Sequence, residues 1–138
     1  MSRSGKCVSV HLVKNQALVA DRCLVAESFF QRLRGLIGRA VLVNGEGMLF
    51  PRCNDIHMWF MRIPIDVVFL TKEESKIREQ VPGGPGGPSI FKVASIRSRL
   101  RPWRPLPVRD GRASETLELP AGTVERCAIQ VGDQLCIS

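Results

Sequence analysis

The middle of the chain brings together the side chains best suited to chemistry. The soft ligands that a cuprous or zinc ion selects are present there as Cys53, His57, Met58 and Met61. On a strand, His57 and Met61 would face one side and Met58 the other, because successive side chains alternate. A core strand with one polar residue near its start has the same pattern. We therefore expect neither a metal site nor a cofactor.

Two acidic residues of this region could form a carboxylate pair. Asp66 lies in the apolar run 63–69, where a buried carboxylate is costly unless it finds a partner. It is interpreted either as a general base or ligand anchor, or as a structural acid bonded to backbone amides or to an arginine. Glu46 could approach Asp66, and such a pair would suit hydrolase or lyase chemistry. The sequence leaves these interpretations open.

An arginine-rich stretch, 97–112, occupies the second half of the chain. Its members are Arg97, Arg99, Arg101, Arg104, Arg109 and Arg112, with Trp103 among them and Asp110 as the opposing acid. Arginines that alternate along a strand beside an aromatic ring could bind phosphates and stack a base, as single-strand binders do. A solvated sheet edge, where arginine stems cover apolar surface, has the same pattern. Nucleic-acid binding is therefore an alternative function.

Motifs of well-known enzyme classes are absent from the sequence. It contains no serine nucleophile elbow, P-loop, dinucleotide glycine fingerprint or HExxH helix. The Gly/Pro-rich run 82–88 lacks a following Lys-Ser or Lys-Thr pair, so it is interpreted as a surface loop. These features favour a binding or accessory protein over an enzyme.

Hydrophobic patterning predicts a single, mainly β domain over residues 1–138. The predicted strands are 8–12, 17–25, 48–50, 56–61, 65–70, 90–100, 116–119 and 134–137. The apolar runs between 47 and 70 are expected at the centre of the sheet. Without a βαβ rhythm, this order predicts a β-sandwich or flattened barrel of short, mostly antiparallel strands. A flexible Gly/Pro-rich loop is predicted at about 71–89.

Two short helices are predicted beside the strands. Ser28 and Gln31 form a capping-box pattern before an apolar face, which predicts a helix over 28–37. Gly122 or Thr123 is placed to begin a second helix that ends at about residue 128.

Composition bears on the compartment and the partners. The 138 residues carry a net charge of +7, and the pI near 9.7 favours anionic partners. No stretch reaches the ~20 apolar residues that span a bilayer, and no leader pattern opens the chain. Five cysteines without a CxxC pair are expected to be reduced thiols. We expect a soluble, cytoplasmic protein, or a periplasmic one if a leader has been removed.

Seven short motifs occur in an order that resembles a known family. They are RGLIGR at 34–39, EGMLF at 46–50, WFMR at 59–62, IPID at 63–66, PWR at 102–104, LELPAGT at 117–123 and VGD at 131–133. Together they resemble domain of unknown function family 192 (DUF192). The resemblance implies a sandwich-type, mainly β fold in a bacterial or archaeal protein, often exported, with no established activity. The missing leader and the long 71–89 loop depart from the family pattern.

The resemblance also suggests which polar and aromatic residues to consider. The matching positions are Glu46, Trp59, Asp66, Trp103, Arg104, Glu118 and Asp133. Asp133 could serve a turn and Glu118 could pair with an arginine, both structural roles. The others, Glu46, Trp59, Asp66, Trp103 and Arg104, are predicted to bind a small or extended, polar or anionic ligand on a sheet surface. The alternatives are a hydrolase or lyase that uses Glu46 and Asp66, and nucleic-acid binding through 97–112.

Overall fold

The computed structural model describes residues 6–26, 43–56, 63–73, 88–102 and 106–138. The strands within these ranges are β1 (Cys7–Leu12), β2 (Leu18–Val25), β3 (Glu46–Pro51), β4 (Asp55–Ile56), β5 (Ile65–Lys72), β6 (Ser89–Leu100), β7 (Val108–Arg109), β8 (Glu115–Pro120) and β9 (Gln134–Ile137). Helix α1 (Thr123–Cys127) lies between β8 and β9 along the chain. The prediction of a mainly β protein is confirmed.

Seven strands close into a barrel in the order β1-β2-β3-β8-β5-β6-β9, and β9 pairs with β1 to complete the ring. β2 and β3 run parallel, and the other neighbouring pairs of the ring are antiparallel. The two remaining strands, β4 and β7, form a separate two-stranded sheet, here called the outer ribbon. Of the two predicted architectures, the fold is therefore the barrel.

Side chains of the ring alternate between the barrel interior and its outer surface. Apolar residues from every ring strand meet in one interior cluster, to which Val10, Leu70 and Leu117 contribute fully buried side chains. Burial of each such side chain stabilises the fold by roughly 1.5–3 kcal/mol. The interior is thus filled by the domain's own core.

β5 is buried on both of its faces. Val68 and Leu70 point into the interior cluster, whereas Val67 and Phe69 pack on the outer side with Ile56 of the outer ribbon. A strand covered on both sides needs apolar residues at successive positions, which explains the uninterrupted apolar run in the sequence. β3 is not its direct neighbour, because β8 lies between them.

β6 departs from the simple alternation predicted for 90–100. Val93 belongs to the interior cluster and Ile96 packs against it, although residues three apart face opposite sides of a regular strand. The pairing with β5 shifts register between Phe69 and Leu70 and again between Ile65 and Val67. Each irregularity inserts an extra residue and changes which face the following side chains occupy.

Helix α1 confirms the second of the two predicted helices. Gly122 precedes it in the left-handed region at φ 93°, which glycine adopts without a Cβ penalty. Asp133 then lies in the predicted turn before β9, where its backbone N–H donates to the Gln130 oxygen at 3.0 Å. No helix in the described part of the chain is long and apolar enough to cross a membrane.

Several predicted elements lie outside the described residues. They are the helix 28–37, residues 57–61 of the strand 56–61, and residues 74–87 of the loop. At the described ends of that loop, pairing continues to Lys72 on β5 and resumes at Ser89 on β6.

Candidate functional site

Asp66 lies on the interior side of β5, opposite Leu119 of the interior cluster. Its side chain is fully buried, and its carboxylate accepts three hydrogen bonds from backbone N–H groups. The donors are Arg99 at 2.8 Å from Oδ1, and Gly122 and Val124 at 3.0 and 2.9 Å from Oδ2. Donors aimed at a carboxylate offset the loss of its hydration. Both oxygen atoms are therefore engaged within the fold.

The hydrogen bonds of Asp66 fix two unusual backbone conformations. Arg99 has a φ of 52° beside a register shift of β6, and Gly122 begins α1 at φ 93°. A non-glycine residue in the left-handed region costs roughly 1–2 kcal/mol and persists where its surroundings determine it. Asp66 thus joins β5, β6 and the start of α1, in agreement with its interpretation as a structural acid.

Glu46, at the start of β3, faces away from Asp66. β8 separates the two acids, so their Cα atoms lie about 9–10 Å apart. A Cβ added at Gly47 would meet interior Leu119 at 3.2 Å, so Glu46, one residue earlier, faces outward. Its Oε1 accepts a hydrogen bond from the Val43 N–H at 3.3 Å. Because the barrel wall lies between the carboxylates, one substrate cannot contact both as a catalytic pair requires.

Glu118 is a second buried carboxyl, and it lies on the outer wall, defined here as the outward-facing side of β3, β8 and β5. It stands opposite Met48 on β3 and Val67 on β5, and it is 7% exposed. Among the described residues, none donates a hydrogen bond to its carboxyl. Burial raises the pKa of Glu118 to about 8.

Among the described residues, Glu118 does not form the ion pair with an arginine that the sequence predicts. Within the described ranges, the arginines in ion pairs are Arg22, Arg99 and Arg112, and their acids are Asp21, Glu125 and Asp110. Leu117 and Leu119 face inward, so alternation correctly places Glu118 outward, but an outward acid on a half-buried strand is expected to be solvated. The burial of Glu118 comes from a second apolar layer outside β5 and β3, which the sequence of β8 does not reveal.

A third acid, Asp110, connects β6 to the region after β7. Its Oδ2 accepts a hydrogen bond from Ser95 Oγ at 2.6 Å, and its Oδ1 accepts one from the Arg112 backbone N–H at 3.0 Å. The Arg112 guanidinium also donates to the carboxylate at 3.2 Å. Hydrogen bonds from Arg112 and Ser95 hold the pKa of Asp110 well below its usual range. This group serves the fold.

Asp133 has a comparable structural role in the turn before β9. Its Oδ2 accepts hydrogen bonds from Lys14 Nζ and from the Gln130 N–H, both at 2.9 Å. Partial burial acts to raise the pKa of Asp133, but these hydrogen bonds and the Lys14 charge leave it below the usual range. The turn role expected from the sequence is the one the structure has.

The described arginines of the stretch 97–112 fall into two groups, those in ion pairs and those exposed to solvent. Arg99 forms an ion pair with Glu125 at 3.0 Å, and Arg112 is bound to Asp110. Arg97, Arg101 and Arg109 are exposed. The described part of the stretch therefore offers a few solvated guanidinium groups.

The other predicted ligand contacts, Trp59, Trp103 and Arg104, lie outside the described residues. Of the five predicted contacts, the structure therefore describes Glu46 and Asp66, and it places them on opposite faces of the barrel wall.

Within the described ranges, no three His, Cys, Asp or Glu side chains come together in a way that could hold a metal ion. All five cysteines are free thiols. Cys53 donates its S–H to the Asp55 backbone oxygen at 3.0 Å. Cys23 lies in the barrel interior, where burial, with a smaller contribution from Cys7, raises its pKa to about 12. Cys23 is therefore a neutral core thiol.

Comparison with known sequences identifies a family. The model of the DUF192 family, which carries the description "Uncharacterized ACR", matches residues 10–83. A UPF0127 protein from Thermococcus sibiricus is 30% identical over 118 residues, which cover 83% of this chain and 64% of that relative. The chain thus spans less than two thirds of that relative's length.

Solved structures share the barrel fold. A candidate transcription regulator from Sinorhizobium meliloti matches with a TM-score of 0.72 at 22% identity, over 98% of this chain and 96% of the other. A protein of unknown function from Novosphingobium aromaticivorans matches with a TM-score of 0.68 at 23% identity, over 94% and 82%. At these identities the likeness concerns the fold. Since the family model matches more than half of its length, the chain belongs to the DUF192 family.

Proposed function

We propose that the domain is a non-catalytic ligand-binding module whose ligand contacts the outer wall beside Glu118 and Glu46. The observation that carries the proposal is Glu118, an acidic residue that is 7% exposed and lies between Met48 and Val67 on the flanking strands. A buried carboxyl is costly where no described donor meets it. A ligand group that contacts Glu118 would offset this cost.

The geometry of the outer wall favours binding over catalysis. Glu46 faces outward whereas Asp66 faces the interior, so the hydrolase or lyase hypothesis loses its second carboxylate. Cys53 packs beside Met48 and donates its S–H to a backbone oxygen. It has no described base beside it, as an activated thiol would require.

Trp59, Trp103 and Arg104 stay in the proposal as predicted ligand contacts. They rest on the sequence and on the family motifs that contain them. Asp66 enters the proposal in a different role, as the acid that fixes the barrel end next to the wall.

The test is a titration of 15N-labelled protein with small polar compounds, followed by the amide shifts of β3, β5 and β8. We expect at least one compound to shift amides of all three strands. Glu118→Leu is expected to abolish these shifts, because it removes the polar group of the wall. Glu125→Gln is the control, since Glu125 is an exposed acid on α1. Shifts confined to other parts of the barrel would refute the proposal.

Nucleic-acid binding is the second candidate function. It is supported by the exposure of Arg97, Arg101 and Arg109 in a chain of net charge +7. The name of the Sinorhizobium meliloti relative, a candidate transcription regulator, points in the same direction. Exposed guanidinium groups bind phosphates without reading sequence.

Salt dependence tests this second function. If it is correct, affinity for a single-stranded oligonucleotide falls steeply from 50 to 200 mM salt. Changing Arg97, Arg101 and Arg109 together to Gln then reduces the slope of log affinity against log salt by about 2. The control changes Arg22, Lys72 and Lys92 to Gln, which removes equal charge elsewhere. A flat salt response, or equal losses in both variants, would exclude specific use of this stretch.

A further inference from the structure

We propose that Glu118 binds its ligand as a neutral carboxylic acid, donating its O–H to an uncharged carbonyl oxygen of the ligand, as in an amide. This inference rests on the proposed function and narrows it to one chemical class. It predicts that the ligand leaves when the carboxyl loses its proton.

The outer wall around Glu118 is apolar. Met48 and Val67 are its direct neighbours on the flanking strands, and both are buried. Phe50 and Phe69 belong to the same outward-facing side, one row along, and are also buried. An ionised carboxylate in such surroundings loses its hydration without compensation, whereas the neutral acid loses much less.

The charged groups around Glu118 lie on β3, β5, β6 and the outer ribbon. On β3, Glu46 lies diagonally across the pair on the same side and brings no positive charge to Glu118. On β6, Arg97 stands beyond Val67 in the same row, about 9–10 Å away and exposed. On β5, Asp66 faces the interior. On the outer ribbon, which packs against Val67, the charged residues are Asp55 and Arg109. Among the described residues, no ion pair involves Glu118.

The hydrogen-bonding capacity of the outer wall also favours a neutral, polar ligand group. The hydroxyl of Thr116, the next outward residue on β8, donates to the Cys53 backbone oxygen at 2.7 Å, so its proton is already used. The neutral form of Glu118 has one O–H donor and one acceptor oxygen. An amide presents the complementary carbonyl oxygen and N–H, and brings no charge into the wall.

The experiment uses three probes of similar shape and different charge: benzamide, benzoate and benzylamine. Each is titrated into 15N-labelled protein at pH 6 and pH 9, and the Glu118 carboxyl is followed by 13C NMR over the same range. We expect benzamide to shift amides of β3, β5 and β8 at pH 6, with about tenfold weaker binding at pH 9. Glu118→Gln, which cannot ionise, should bind benzamide equally at both pH values. Glu46→Gln should keep the pH dependence of the wild type.

The outcomes separate this inference from the proposed function. Stronger binding of benzylamine at pH 9 than at pH 6 would mean that the ionised carboxylate is the binding form, so the inference fails while the proposed function stands. A Glu118 carboxyl that titrates near the ordinary range of glutamate would overturn the inference without any variant. If no probe shifts an amide of the outer wall, the proposed function and the inference fail together.

Discussion

Asp66 and Glu118 lie on adjacent strands of one barrel and are both buried, yet their surroundings are opposite. Asp66 faces the interior and accepts three backbone hydrogen bonds, at 2.8, 2.9 and 3.0 Å. Glu118 faces outward between Met48 and Val67 and meets no described donor. The number of described hydrogen-bond donors, rather than burial, therefore distinguishes the two acids.

The largest expected effect comes from Asp66→Asn. The NH2 group of Asn, which replaces one carboxylate oxygen, cannot accept a hydrogen bond, and the negative charge that strengthens the remaining hydrogen bonds is lost. We expect the free energy of unfolding to fall by roughly 3–5 kcal/mol, measured by urea denaturation. Asp21→Asn, at a half-exposed side chain, should change it by less than about 0.5 kcal/mol. A loss below about 1 kcal/mol for Asp66→Asn would contradict the claim that the hydrogen bonds to Asp66 stabilise the fold.

Glu118→Gln should change the pH dependence of stability. The carboxyl titrates near 4.5 when unfolded and near 8 when folded, so unfolding releases a proton between these values. Stability of the wild type therefore falls as pH rises through this window, by about 1.4 kcal/mol per pH unit. The difference in the free energy of unfolding between the variant and the wild type should therefore shift in favour of the variant by on the order of 3 kcal/mol from pH 5 to pH 7. Parallel stability curves for the two proteins would contradict the neutral state of Glu118.

Ser95→Ala extends the comparison to Asp110, which loses one of its hydrogen-bond donors in this variant and keeps the others. The variant removes the 2.6 Å hydrogen bond to Asp110 but leaves those from Arg112. The expected loss is about 1–2 kcal/mol, less than for Asp66, measured by the same denaturation. Ser98→Ala, at an exposed position on the same strand, is the matched control. A loss as large as that of Asp66→Asn would show that donor number does not set the order.

The smallest effect concerns thiol reactivity. Cys7 is exposed, whereas Cys23 lies fully buried with its pKa raised to about 12. Iodoacetamide at pH 8 should label Cys7 in the folded protein and Cys23 after urea unfolding, as read by peptide mass spectrometry. Labelling of Cys23 at the rate of Cys7 in the native protein would show that the interior opens readily.

Local patterns in the sequence are sufficient for many elements. β1 follows from the alternation of Val8, Val10 and Leu12, and α1 follows from Gly122, because both depend on neighbours along the chain. The final strand, Gln134–Ile137, agrees with its predicted bounds. The resemblance to DUF192 is likewise confirmed by the family model.

Long-range features are not contained in local patterns. The ring order, with β8 between β3 and β5, depends on pairing between distant segments. The facing of Ile96 depends on register shifts that no residue type between 90 and 100 announces. Alternation along β8 predicts that Glu118 faces solvent. The structure buries it because an outer apolar layer, formed by distant segments, covers this side of the barrel. The sequence likewise predicts Asp66 as a ligand contact, because the backbone groups that donate hydrogen bonds to it come from distant segments, β6 and the start of α1.

The pairing of β9 with both β1 and β6 has a consequence for folding. β1 and β9 are the first and last of the described strands, and Ser9 and Ser138 exchange backbone hydrogen bonds of 2.8 and 3.0 Å. During synthesis, the ring cannot close until the residues of β9 have left the ribosome. Until then β1 and β6 are open edges, which are templates for pairing with another chain. Pairing of β9 with β1 and β6 thus covers both of these edges at once.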